Sequence, residues 1–78
     1  MATFEELYGA WMVADQAARE AEGEMMSALA ASPDVPARIR DRASALRACA
    51  NRLLDAAMSR MRQDAHQPRR RWTSVFAA

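Results

Sequence analysis

The chain has 78 residues, 51% of them hydrophobic but only 6% aromatic, and a formal net charge of +1. That length makes one domain with a small core, and two glycines with three prolines exclude an all-β fold, which needs many turns. No apolar run reaches the ~18 residues of a membrane span, Glu5 and Glu6 stand where a secretory signal would be basic, and the single cysteine, Cys49, excludes an internal disulfide framework. The expected location is cytoplasmic.

Charge is uneven along the chain. Residues 1–32 hold six acids and one Arg, residues 33–78 hold four acids and ten Arg, and Lys is absent. The Arg-for-Lys usage fits a codon bias, while the asymmetry favours lateral pairing of an acidic helix with a basic one.

Thr3-Phe4-Glu5-Glu6 is a capping-box pattern that opens a helix. Phe4, Leu7, Trp11, Ala14, Ala18, Ala21, Met25 and Ala28 come next at alternating steps of three and four, a heptad seam. Gly9 and Gly23 fall opposite it. The first helix is predicted over 4–31, about 42 Å long.

Ser32-Pro33-Asp34-Val35-Pro36 breaks the helix, because each proline lacks an N–H and Pro36 drives Val35 out of the helical region. Ser and Asp are expected to favour the turn and to cap the second helix. That helix is predicted over about 36–66, ending between Asp64 and Gln67 ahead of Pro68. Its seam reads Ile39, Ala43, Leu46, Ala50, Leu53, Ala57, with a phase slip to Met61 and Ala65.

The predicted fold is all-α: an antiparallel two-helix hairpin (residues 1–67, turn 32–36) that dimerises into a four-helix bundle or packs on another protein. Paired residues have numbers summing to about 67, so large faces small at nearly every layer. Glu24 with Arg42 and Glu22 with Arg47 are the expected flanking ion pairs.

Apolar residues remain outside the seam. Tyr8, Met12, Met26 and Leu29 share one flank with Leu54, Met58 and Met61, and small residues (Ala10, Ala17, Ala45, Cys49, Ala56) share the other. A helix with apolar flanks packs on something, either a second copy or another protein's groove, to which Met adapts well. Tyr8, Met12, Met26, Leu54, Met58 and Met61 are therefore the candidate partner interface.

Residues 68–78 form a basic-aromatic tail, with Arg69, Arg70, Arg71, Trp72, Val75 and Phe76 as candidate contacts. Besides a solvated arm, it fits phosphate and base stacking, a weak hold on an anionic membrane surface, or an extended segment docked on a partner.

No catalytic constellation is present. His66 is the only histidine and complements a helix dipole. Cys49 lacks a histidine within helical reach and reads as a small buried residue. The methionines are spaced for packing rather than soft-metal binding. No enzyme activity, metal or cofactor is expected. Pro33-Asp34-Val35-Pro36 between Ala-rich helices resembles the subunits of type III secretion needles and their small helical co-chaperones, from which the basic tail departs; the resemblance implies an assembly subunit or chaperone. The leading expectation is a non-enzymatic protein–protein interaction module, an adaptor, chaperone, inhibitor or assembly subunit. The alternative is a nucleic-acid-binding dimer using the Arg-rich tail, with Arg38 and Arg42 as further contacts, although the near-neutral charge disfavours it.

Overall fold

The computed structural model of the chain describes the backbone of residues 2–77 and the side chains of residues 2–65. Two helices, α1 (Phe4–Ala31) and α2 (Ala37–Ala77), pack against each other as a hairpin.

Both hydrogen bonds of the capping box form. The Thr3 hydroxyl accepts from the Glu6 N–H, and the Glu6 carboxylate accepts from the Thr3 N–H, each at 3.1 Å. The bond from the Thr3 backbone N–H, and after it the Thr3 hydroxyl beside the carboxylate, hold the Glu6 carboxyl below the usual carboxylate range. At the far end Ser32 turns extended, and its N–H donates to the Ala28 carbonyl at 3.0 Å.

The start of α2 differs from expectation. Ser32 Oγ accepts from the Asp34 N–H at 3.2 Å and so closes the turn on itself. The Pro36 carbonyl receives the first bonds of α2, from Ile39 at 3.1 Å and Arg40 at 3.3 Å. Pro36 therefore stands just outside the helix, in the cap position. Its ring offers no acceptor, and Asp34 lies too far upstream to replace it.

The end of α2 also differs. The helix runs past Pro68 to Ala77 instead of stopping between Asp64 and Gln67. Proline has a φ compatible with helix; its penalty is one missing bond and local crowding, about 3 kcal/mol. Helix-favouring Gln67 and Arg69 to Arg71 surround it, so one proline does not compel a stop.

The seam is as predicted through Ala57, every position being buried or half-buried. Its fully buried members are alanines only: Ala18 and Ala21 from α1, Ala43, Ala50 and Ala57 from α2. The register explains why. Ala43 and Ala57 lie in the layers of Met25 and Trp11, while Ala14, Ala21 and Ala28 lie in those of Leu53, Leu46 and Ile39. Midway, Ala18 and Ala50 share a layer, and both are 0% exposed. A lone methyl is fully covered there only because the two backbones approach closely.

The predicted phase slip does not occur. Met61 is 45% exposed and Ala65 is exposed, whereas Arg60 and Asp64 are half-buried and continue the seven-residue period. Leu7 and Phe4 of α1 still lie opposite, so spacing decides which residues face inward and hydrophobicity does not. Asp64 Oδ1 sits 3.1 Å from Arg60 Nε. It lies off the N–H direction, so this buried donor has an ion partner but no hydrogen bond.

Candidate functional site: one flank of the hairpin

The heptad places Tyr8, Asp15, Glu22 and Leu29 in one row of α1, bordered by Glu5, Met12, Arg19 and Met26. The antiparallel register brings Arg40, Arg47, Leu54, Met58 and Met61 of α2 to the same side. Along its length this flank reads apolar, charged, apolar.

At the open end, Phe4, Tyr8 and Trp11 stack in a ladder. Ring centroids are 5.7 Å apart for Phe4–Tyr8 and 5.3 Å for Tyr8–Trp11, with interplanar angles of 7° and 24°. Spacings of three and four put the rings on consecutive turns of one face. With Leu54, Ala57 and Met58 they line a groove of about 370 Å³ that presents almost only apolar surface. Of the predicted interface, Leu54 and Met58 are thus half-buried in the groove wall. Tyr8, one of the groove's own rings, is 37% exposed, and Met12 and Met61 on the same flank are 58% and 45% exposed.

Met26, the sixth predicted residue, lies some 27 Å away at the turn end, about 18 residues along α1. It is 60% exposed and its neighbour Leu29 is 48% exposed. The expected continuous Met-rich face is therefore two apolar patches.

Between them lies a charged band. Arg47 donates to both Glu22 carboxylate oxygens, from Nε at 2.9 Å and Nη2 at 2.8 Å, and from Nη1 to Asp15 at 2.8 Å. Arg19 meets the other Asp15 oxygen at 2.9 Å. Hydrogen bonds from Arg47 hold the Asp15 and Glu22 carboxyls below their ordinary range, against the opposing effect of desolvation. The same bonds raise the Arg47 pKa. The two expected ion pairs both form, Glu22–Arg47 at 2.8 Å and Glu24–Arg42 at a loose 3.9 Å. The Asp15 arm is absent from the sequence-based expectation, although Asp15 stands one heptad before Glu22, which is the signal that points to it.

The opposite flank carries Ala10, Ala17, half-buried Cys49 and Ala56, with exposed Ala45 nearby. The side chains of His66, Arg69, Arg70, Arg71, Trp72, Val75 and Phe76 lie outside the described residues. Among the described residues no group of three or more His, Cys, Asp or Glu could hold a metal ion, and no helix is long and apolar enough to cross a membrane. Compared with known proteins, the chain matches no family model, and neither a curated protein nor a solved structure is significantly similar to it.

Proposed function

We propose that this chain is a non-enzymatic helical interaction module that binds a protein partner through the flank of Tyr8, Met12, Met26, Leu54, Met58 and Met61, with the tail 68–78 as a second contact. One observation carries the reading. Among the described residues the hairpin buries only five, all alanines, and leaves Tyr8, Met12, Met26, Leu29 and Met61 substantially in water. Fully covering an exposed side chain of this kind is worth about 1.5–3 kcal/mol, and with 37–60% of each still exposed a partner has a substantial fraction of that left to cover. Adaptor, chaperone, inhibitor and assembly-subunit roles all rest on such a surface.

The test compares the complexes retained by the tagged wild-type chain with those retained by Met58→Asp and Met12→Asp. Circular dichroism monitors folding, and Met12 is exposed enough that its substitution spares the hairpin. The wild type should be recovered in a defined complex that both variants lose while helicity survives. Complexes unaffected by either substitution would sink the proposal.

A further inference from the structure

We infer that the occupant of this flank is a second copy of the chain, docked antiparallel across a twofold axis near the Ala18–Ala50 layer. This rests on the interaction reading above and names its partner. Three observations favour it.

The first is shape. The flank carries a groove at its open end, about 370 Å³ between the aromatic ladder and Leu54, Ala57 and Met58. It carries two projecting side chains, Met26 and Leu29, at its turn end. Leu29 lies three heptads after Tyr8 and Met26 two heptads after Met12, so knob and groove lie on one stripe. A twofold axis midway between them seats each copy's knobs in the other's groove, and the contact closes after two chains.

The second is charge at the ends. Arg40 marks the turn end of the flank and Glu5 its open end. Antiparallel docking brings each Arg40 toward the partner copy's Glu5. Parallel docking would bring Arg40 toward Arg40 and Glu5 toward Glu5, which is repulsive.

The third is charge at the centre. The axis crosses the band of Asp15, Arg19, Glu22 and Arg47, whose formal charges cancel and which are already joined by bonds of 2.8–2.9 Å. That band faces a copy of itself without net repulsion. A partner chosen by charge would instead meet a band with one sign in excess.

The experiment uses the full chain in a Cys49→Ser background. Light scattering over a hundredfold dilution reads the mass, and Met12→Cys and Met26→Cys variants are mixed and joined with a short bismaleimide. The expected results are a dimer and a Met12→Cys to Met26→Cys cross-link in the mixture. Each variant alone should cross-link poorly, because like positions are roughly 20 Å apart along the axis. Met26→Asp should weaken the dimer on the order of tenfold or more.

A folded monomer throughout the range overturns the second copy; the interaction reading survives it if Met12→Asp still abolishes another complex. Efficient cross-linking of Met26→Cys to itself overturns the antiparallel arrangement. A dimer indifferent to both Met12→Asp and Met26→Asp overturns this inference and the interaction flank together.

Discussion

The narrowest point of the hairpin makes the sharpest prediction. Ala18 and Ala50 are both 0% exposed and share a layer, so Ala50→Leu must place three further carbons between backbones that are already close. Overpacking of this kind costs about 1–3 kcal/mol, and here it also lifts the adjoining Ala43 and Ala57 layers. At ~0.05–0.15 kcal/mol per residue, the low end for a chain of this size is roughly 4 kcal/mol, so the substitution removes a large share of the total. One kcal/mol moves the Tm of a small domain by about 4–8 °C, and a fall of some 10 °C or more is expected. The assay is thermal and urea unfolding monitored at 222 nm. Ala30→Leu, on the exposed outer face, is the control and should lie within about 0.5 kcal/mol of wild type. An Ala50→Leu variant as stable as that control would refute the close-approach argument.

The same geometry predicts four further outcomes. Gly9→Ala and Gly23→Ala should each stabilise by about 0.5–1 kcal/mol, because an added Cβ meets nothing within 4 Å and a helical glycine costs backbone entropy; unfolding midpoints decide it. Thr3→Ala should cost about 1 kcal/mol through loss of the N-cap, read as earlier fraying of α1 by hydrogen exchange. Arg60→Leu should raise the urea midpoint, since it removes a buried donor without a hydrogen bond and places a leucine opposite Leu7; a lowered midpoint would show that the Asp64 contact outweighs both gains. Finally, Asp15 and Glu22 have carboxyl pKa values depressed in the folded state, chiefly by hydrogen bonds from Arg47. Their contribution is complete above about pH 5 and is lost as pH falls through the depressed folded values. Melts at pH 7 and pH 3 should differ less in Arg47→Leu than in wild type.

Much of the fold was legible in the sequence because its signals are local or periodic. Thr3 and Glu6 specify a cap three residues apart, the two prolines of the turn leave no room for continuous helix, and the heptad from Phe4 to Ala28 names its own buried stripe. The reading of α2 failed where hydrophobicity and period disagreed. Met61 and Ala65 are the more apolar pair, but the partner helix imposes the spacing, and Arg60 and Asp64 face it. The site was half legible. Tyr8, Met12, Met26, Leu54, Met58 and Met61 share a flank by heptad arithmetic alone. Their separation into a groove and a distant pair follows from Asp15 and Glu22 holding the row between Tyr8 and Leu29, which the same arithmetic gives; that Arg47 reaches across to Asp15 as well as Glu22 takes three dimensions to see. Phe4 and Trp11 belong to the seam by their spacing. They also wall the groove, since a side chain beside a helix pair is open on its outer edge.

The Arg47 bridge has a consequence for how the two helices find each other. The alanines of α2 recur every seven residues, at 43, 50 and 57, so a slide of one heptad would again lay alanine rows against α1, and the seam itself distinguishes weakly between settings. A guanidinium gripping carboxylates one heptad apart does disfavour one of them. Slid one way, Arg47 would face Glu22 and Leu29 while Leu54 took its present place, and the fork would lose one arm with nothing to replace it. Slid the other way, Arg40, one heptad before Arg47, would come opposite Asp15 and Glu22 in its stead. The smooth seam sets how near the helices come, and Arg47 acts as a ratchet that resists sliding along their common axis in one direction.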